Sequence, residues 1–290
     1  MTAEQRISRV LDVMPLVIPT FMREHRQKAY ESLPQPVRDR ATLVSHSGRI
    51  PLLRKHQPKA RTHDLGVTDG IADVRQKVLD FVSLTHEKVF IVDDKCQFMT
   101  SRLDAGQRKP GNTWIRGDGA LEHWATMLEG VCAALDTYPQ VGISPRPGNN
   151  RKPEPWLVPG RAYSVYGINI RRCAELGVRF DGLYQKDKRV KLYEDFYLTL
   201  SLLTRGIPNA VWFEYCFQTD HGKEGGNNTV RTMELQKLCA EALAAEFPDY
   251  VKVVQKEAIT FKIPGQDEFR WEVAIQWKKA LVTALEKQLL

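Results

Sequence analysis

The chain has 290 residues, of which 42% are apolar, so it can form one large α/β domain or one domain with a small appendage. Its 42 Lys and Arg residues exceed its 35 Asp and Glu residues, and the net charge of +7 is compatible with a nucleic-acid partner and equally with a small anionic substrate. The five widely spaced cysteines argue against a disulfide framework, and no apolar run reaches the length of a transmembrane segment or forms a signal-peptide core, so we expect a cytoplasmic protein.

Predicted strands and helices alternate along the first third of the chain. Short strands are predicted within Leu11–Pro19 and over Ala41–Ser45, Gly70 opens a helix, and a buried strand follows over Val89–Val92. The apolar positions of the helix have helical spacing and are Ile71, Val74, Val78, Leu79 and Val82. This order of elements predicts a largely parallel sheet.

The rest of the chain continues the alternation. The predicted elements are a helix over Leu121–Leu135, a strand over Tyr163–Ile170, helices over Arg171–Leu176 and Tyr193–Arg205, a strand over Ala210–Phe217, a helix over Thr232–Glu246, strands over Val251–Val254 and Ile259–Ile263, and a final helix from Asp267. Two Gly- and Pro-rich basic stretches, residues 104–119 and 144–161, are typical of binding loops or lids.

Two adjacent carboxylates, Asp93 and Asp94, follow the buried strand. Open α/β sheets place their ligands at the carboxyl ends of strands. Like charges repel at a half-buried strand end unless a cation neutralises them, and oxygen ligands of this kind suit Mg²⁺ or Mn²⁺ holding a substrate phosphate. The alternative is a solvated Asp-Asp turn.

Two further spots could carry chemistry. Glu194 and Asp195 begin a predicted helix, where a carboxylate base could sit, although acids in a first turn also stabilise the helix dipole. His221 lies in a polar run and is either a metal ligand or a loop histidine. The following Gly225-Gly226-Asn227-Asn228 is either a flexible turn or a backbone nest for phosphates.

Five segments, taken in order, resemble glycosyltransferases of the GT-A fold. They are Val17-Ile18-Pro19-Thr20, the helix that Gly70 opens, Ile91-Val92-Asp93-Asp94, Tyr193-Glu194-Asp195-Phe196-Tyr197-Leu198, and His221 with Gly225-Gly226-Asn227-Asn228. The last segment resembles, more specifically, the phage and TET-associated glycosyltransferases that are implied to modify 5-hydroxymethylpyrimidines in DNA.

The resemblance implies a fold and a division of the chain. The fold is an α/β, GT-A-like Rossmann-type mixed sheet flanked by helices, with a small C-terminal α+β extension. The glycosyltransferase domain is expected over residues 1–231, with a nucleotide-binding half over about 1–103 and an acceptor half over about 104–231. The helix and strand extension over residues 232–290 is expected to pack on it.

The resemblance also implies roles for individual residues. Asp195 is the expected general base, and Glu194 is expected to position the acceptor or support the base. Asp94 and His221 are the expected ligands of Mn²⁺ or Mg²⁺. The expected donor is a UDP-sugar, with glucose as its sugar, bound by Thr20, Arg23, Asp73, Asp93, Lys223 and Arg231. The chain departs from the common D-x-D spelling, because Lys95 follows the two acids where a third acid could stand.

The expected acceptor is modified double-stranded DNA in the cytoplasm of a phage host. The expected phosphate contacts come from the two basic loops, and Trp156 is expected to stack on an extruded base. These DNA-binding candidates are Arg108, Lys109, Arg146, Arg151, Lys152 and Trp156. Trp114 and Tyr163 are further stacking candidates, although aromatic residues beside Pro and Gly often only hold a loop in place.

Two other functions fit the same residues. The first is a GT-A enzyme that acts on a protein, a glycan or a small metabolite. The second is a non-catalytic nucleic-acid-binding protein on a transferase fold. The non-catalytic hypothesis predicts that Asp195→Asn and Asp94→Asn leave all function intact. The DNA glycosyltransferase hypothesis predicts that both abolish turnover and that Asp195→Asn keeps nucleotide binding.

Overall fold

The structure is a computed structural model that describes residues 1–100, 103–104, 107–108, 113–116, 119–146, 154–219, 231–257 and 269–289. The predicted strand Ile259–Ile263 lies outside these residues. The strands of the described residues are β1 (Leu16–Pro19), β2 (Thr42–Ser45), β3 (Arg61–Asp64), β4 (Lys88–Val92), β5 (Cys96–Thr100), β6 (Leu103–Asp104), β7 (Gln107–Arg108), β8 (Thr113–Trp114), β9 (Gln140–Pro145), β10 (Trp156–Leu157), β11 (Val165–Asn169), β12 (Ala210–Thr219), β13 (Val251–Glu257) and β14 (Phe269–Ile275).

The helices of the same residues lie mostly between these strands. They are α1 (Ala3–Leu11), α2 (Lys28–Ser32), α3 (Gln35–Arg38), α4 (Ile50–His56), α5 (Ile71–Ser83), α6 (Ala120–Ala134), α7 (Ile170–Glu175), α8 (Gly182–Lys186), α9 (Glu194–Leu203), α10 (Met233–Glu246) and α11 (Trp277–Gln288). Among the helices of the described ranges, none has the length and apolar character needed to cross a membrane.

A large mixed sheet organises the fold. Its strand order is β3-β2-β1-β4-β11-β9-β12-β5-β8, and β10 pairs with β12. Strands β1 to β4 run parallel, whereas β11 runs antiparallel to both of its neighbours and β5 runs antiparallel to β12. The predicted α/β fold with a mixed sheet flanked by helices and a small C-terminal α+β extension is therefore confirmed.

The apolar run of β4 is explained by burial on both faces of the sheet. Phe90 and Val92 belong to the core on one face, and Val89 and Ile91 belong to the core on the other. All four side chains are fully buried. A central strand covered on both sides has no polar face, which is why its sequence does not alternate.

The C-terminal extension packs beside α9. Leu203 of α9, Leu243 of α10 and Leu281 of α11 share a third hydrophobic cluster, and β13 pairs with β14 in a separate two-stranded sheet. The prediction of a final helix from Asp267 was wrong at its start, because Phe269–Ile275 forms a strand and the helix begins at Trp277. The division of the chain at residue 231 stays a prediction.

Candidate active site

A cavity of about 1020 Å³ opens at the edge of the sheet where β1 and β4 end. Because these strands are parallel neighbours, their carboxyl ends place Thr20 and Asp93 at the same edge. The start of α5 and the start of α9 line the same cavity, as do residues of β13, β14 and α11. The volume lies at the upper end of the usual range for ligand pockets.

Arg75 contacts the acidic residues at the end of β4 and at the start of α9. Its Nη2 lies 3.0 Å from Asp93 Oδ1, and its Nη1 lies 2.5 Å from Glu194 Oε1 and 3.6 Å from Asp195 Oδ2. The guanidinium also lies over the ring of Tyr166, 5.3 Å from its centroid. One buried cation therefore holds the strand end and the helix start together.

Asp94 is held by a second buried arginine. Arg23 Nη1 lies 3.0 Å from Asp94 Oδ1, and only 8% and 6% of these two side chains is exposed. The neighbouring Asp93 side chain is 19% exposed. The two carboxylates are thus not a solvated turn, because both lie in the wall of the cavity and each contacts an arginine.

Burial raises the pKa of several acids in this site. It raises the pKa of Glu194 to about 7, against the opposing attraction of Arg75. It also raises the pKa of Asp195 and brings that of Asp94 to about 6. A carboxylate with a raised pKa is a better proton acceptor at neutral pH than an ordinary one. Asp195 is the more exposed member of the pair, at 16% of its side chain against 6% for Glu194.

The backbone at Tyr193 directs the acidic pair into the cavity. Tyr193 precedes the first turn of α9 in the left-handed conformation, with a φ of 66°, and its ring stacks on Phe196 at 5.7 Å. Non-glycine residues seldom adopt this conformation, and strain of this kind often accompanies functional sites. The first turn of α9 therefore enters at an angle that brings Glu194 and Asp195 to Arg75.

Gly70 is required where α5 begins. Its φ is 87°, and a Cβ atom at this position would lie 2.8 Å from Lys191 Cβ. Both constraints favour glycine, which tolerates a positive φ and a close neighbour. The tight entry places Ile71, Val74 and Arg75 in the cavity wall.

Four of the six residues predicted to bind the nucleotide sugar line the cavity. They are Thr20, Arg23, Asp93 and Arg231. Asp73 is not among the lining residues, because its carboxylate accepts a hydrogen bond from the Asp69 amide at 2.9 Å and lies 3.1 Å from Lys77 Nζ. Lys223 lies outside the described residues, as does the predicted metal ligand His221. All six roles stay predictions.

The predicted DNA-binding residues whose side chains the structure describes are not among the residues that line this cavity. Arg146 Nη1 donates to Gln218 Oε1 at 2.5 Å. Trp156 stacks on Trp212 with a centroid distance of 5.0 Å and an interplanar angle of 3°. Only the backbone of Arg108 is described, and Lys109, Arg151 and Lys152 lie outside the described residues. A role of these residues in DNA binding stays a prediction.

Arg75 and Arg161 are the site residues that the sequence interpretation missed. The Arg161 guanidinium lies 4.5 Å from the ring centroid of Tyr163 and 4.7 Å from that of Phe196. A signal for Arg75 did exist, because it is the one charged residue on the apolar face formed by Ile71, Val78 and Val82. The signal for Arg161 was its place in the basic stretch 144–161, which the sequence indicated as a binding loop or lid without assigning Arg161 to this site.

Comparison with known proteins identifies the family. The family model of the TET-associated glycosyltransferases matches residues 14–227 of the chain. No curated protein sequence matches the chain. The match covers more than half of the chain, so the protein belongs to the TET-associated glycosyltransferase family and is a glycosyltransferase.

Solved structures similar to this chain include a mannosyltransferase and a mannose-1-phosphate geranyltransferase. A mannosyltransferase from Pyrobaculum calidifontis in complex with GDP-Man and Mn²⁺ has 16% identity and a TM-score of 0.48, covering 85% of this chain and 71% of its own. A mannose-1-phosphate geranyltransferase from Thermus thermophilus has 13% identity and a TM-score of 0.40, covering 72% and 76%. Neither likeness is strong enough to bear on the activity of this chain.

Proposed function

We propose that this member of the TET-associated glycosyltransferase family transfers a sugar, glucose in the first instance, from a UDP-sugar to the hydroxyl of a 5-hydroxymethylpyrimidine in phage DNA. The observation that carries the proposal is the meeting of four carboxylates in one cavity. Asp93 and Asp94 follow β4, Glu194 and Asp195 begin α9, and all four line the same space. The family membership supports sugar transfer, and the TET association in the family's name supports a DNA acceptor.

Asp195 is the proposed general base. As it takes the proton of the acceptor hydroxyl, the oxygen forms a bond to the anomeric carbon of the sugar, and the bond from that carbon to the diphosphate breaks to release UDP. Glu194, held at 2.5 Å by Arg75, supports the orientation of α9. Attack from the face opposite the leaving group makes the reaction inverting.

A divalent cation, Mn²⁺ or Mg²⁺, fits the donor side of the cavity. The four carboxylates outnumber the two arginines that contact them, Arg23 and Arg75, and hard oxygen ligands suit these ions. Within the residues that the structure describes, no three His, Cys, Asp or Glu side chains form a metal-binding group. Asp94 would therefore hold the ion with a ligand from outside them, such as His221. The ion would stabilise the charge of the diphosphate.

The remaining predicted residues complete the proposal. Thr20, Arg23 and Asp93 line the end of the cavity where β1 and β4 finish and would contact the nucleotide sugar. Asp73 and Lys223 are assigned to the same ligand, and Arg231 to the leaving diphosphate. The DNA contacts are assigned to Arg108, Lys109, Arg146, Arg151, Lys152 and Trp156.

The test is transfer of radiolabelled glucose from UDP-glucose to DNA that contains 5-hydroxymethyluracil or 5-hydroxymethylcytosine, with unmodified DNA as the control. We expect label only in modified DNA and dependence on Mn²⁺ or Mg²⁺. If neither modified DNA is labelled with several UDP-sugars and Mn²⁺ present, the acceptor assignment is wrong. Transfer to a protein, glycan or small metabolite instead would identify a GT-A enzyme with another acceptor.

A further inference from the structure

The C-terminal extension lies outside the region that matches the family, yet it lines the cavity. The match ends at residue 227, whereas Lys256 of β13, Arg270 of β14 and Trp277 of α11 belong to the cavity wall. A part of the chain that is separate from the family region thus shapes the site.

The wall formed by the extension adjoins the proposed base. Phe196, the residue after Asp195, packs edge-on against Trp277 with a centroid distance of 5.6 Å. Of the proposed donor residues, Thr20, Arg23 and Asp93 follow β1 and β4, which belong to the large sheet, whereas β13 and β14 form a separate two-stranded sheet. Because the acceptor hydroxyl must reach the base, the wall beside Asp195 is on the acceptor's side of the reaction.

Two cations face each other across the two-stranded sheet that β13 and β14 form. Lys256 and Arg270 are directly opposite each other in the antiparallel register. Like charges in this position destabilise a sheet. Both contact one carboxylate, since Lys256 Nζ lies 2.8 Å from Glu272 Oε2 and Arg270 Nη2 lies 2.6 Å from Glu272 Oε1. Two positive charges share one negative charge, so the cluster keeps a net positive charge.

Arg270 also has an unused donor. Its Nε is buried and makes no hydrogen bond within the described part of the chain, and its side chain is 24% exposed. A buried donor without a partner costs free energy, and an oxygen of a bound anion would remove that cost. The guanidinium is suited to phosphate because its donors form a planar fork.

The charge of the surrounding wall favours an anionic ligand. When Asp93, Asp94, Glu194 and Asp195 are set aside, basic side chains outnumber acidic side chains along the cavity wall. The basic lining residues other than Arg23, Arg75 and Lys95 are Arg161, Arg189, Lys191, Arg231, Lys256 and Arg270, and the acidic ones are Asp69 and Glu272. This excess and the unsatisfied donor of Arg270 both indicate an anion.

We infer that Lys256 and Arg270 bind a backbone phosphate of the DNA strand that carries the acceptor nucleotide. The inference rests on the proposed function and adds a DNA contact that comes from the extension, in addition to the two basic loops. The phosphate next to an extruded nucleotide lies close to the base being modified, so a phosphate site in the same cavity as Asp195 would help to position the hydroxymethyl group for attack.

The test compares the double variant Lys256→Ala/Arg270→Ala with the wild type in binding to hydroxymethylated DNA by fluorescence anisotropy over a range of salt concentrations. We expect weaker DNA binding and a salt slope that is smaller by about one, because the variant loses one phosphate contact and each such contact contributes about one to the slope. Affinity for the UDP-sugar, measured by calorimetry, should be unchanged. Lys278→Ala, at an exposed lysine of α11 outside the cavity wall, is the matched control and should bind DNA as the wild type does.

The conservative variant Lys256→Arg/Arg270→Lys keeps both charges and shows whether the two-stranded sheet tolerates substitution at these positions. It should retain most of the DNA affinity. Loss of UDP-sugar affinity with unchanged DNA binding would assign the cations to the donor diphosphate and overturn the inference, as would unchanged binding of both ligands. Binding of DNA is measured without turnover, so absence of sugar transfer by the wild type would overturn the proposed function alone.

Discussion

The guanidinium of Arg75 lies 2.5 Å from the carboxylate of Glu194, and less than a tenth of either side chain is exposed. The two residues are 119 positions apart in the chain and connect α5 to α9. Removing one partner of a buried ion pair leaves an uncompensated charge away from water. The contact between Arg75 and Glu194 therefore contributes both to the stability of the fold and to the geometry of the site.

Substitution of Arg75 should destabilise the protein strongly. We expect Arg75→Leu to lower the free energy of unfolding by about 3–5 kcal/mol, because Asp93, Glu194 and Asp195 lose their common cation. Urea denaturation measures this change. The control is Arg171→Leu, which breaks a 2.8 Å pair with Glu87 whose side chains are 62% and 60% exposed, and should cost about 0–1 kcal/mol. Equal losses in the two variants would contradict the role of Arg75.

Asp195→Asn should remove turnover while keeping the donor bound. Loss of a general base lowers kcat by about 10²–10⁴-fold. Asp94→Asn should lower turnover and also weaken metal-dependent binding of the UDP-sugar. Calorimetric titration with the UDP-sugar separates the two effects. Asp136→Asn, at a carboxylate that is 72% exposed, serves as the control. Unchanged DNA binding and an unaffected cellular role in both site variants would favour the non-catalytic alternative.

The stability of the protein should depend on pH through Glu194. Burial raises the pKa of this carboxyl from 4.5 to about 7, so the folded state holds the proton more tightly than the unfolded state. Its stabilising contribution is complete below the unfolded pKa of 4.5 and is lost as pH rises to about 7. Glu194→Gln cannot ionise, so the free energy of unfolding should fall less steeply between these pH values.

This pH prediction is checked by urea denaturation of the wild type and of Glu194→Gln at several pH values across that window. The matched control is Glu87→Gln, at a surface ion pair, which should follow the wild-type profile. If the free energy of unfolding depends on pH in the same way for the wild type and Glu194→Gln, the Glu194 carboxyl does not cause the pH dependence.

Gly130→Ala should destabilise the packing of α6 on the sheet. A Cβ atom at Gly130 would lie 2.4 Å from the Cη2 atom of Trp212, whose side chain is buried and stacked on Trp156. Alanine favours a helix over glycine by up to about 1 kcal/mol, but overpacking a core costs about 1–3 kcal/mol. The net effect expected in thermal or urea denaturation is a loss of about 1 kcal/mol.

Gly119→Ala provides the comparison for Gly130→Ala. No atom lies within 4 Å of a Cβ at Gly119, which precedes α6 with a negative φ of −73°. This variant should change the free energy of unfolding by no more than about 0.5 kcal/mol. A stable Gly130→Ala would mean that Trp212 moves aside at little cost.

The local patterns of the sequence were reliable where one element determines its own structure. The strand before Asp93, the helix that Gly70 opens and the helix that begins with Glu194 all formed as predicted. Apolar runs, helical spacing and capping depend on neighbouring residues, so they can be interpreted without the rest of the fold. The same reasoning failed near Phe269, because pairing of β14 with β13 depends on a partner strand elsewhere in the chain.

The sequence by itself determined the order of the elements, the acidic residues that end β4 and begin α9, and the family resemblance that these segments carry. Only the tertiary structure decided that Arg75 contacts three of these carboxylates, that burial raises the pKa of Glu194, and that Lys256 and Arg270 line the same cavity. The physical reason is that charge pairing and desolvation depend on distances between residues far apart in the chain, and local periodicity carries no information about those distances.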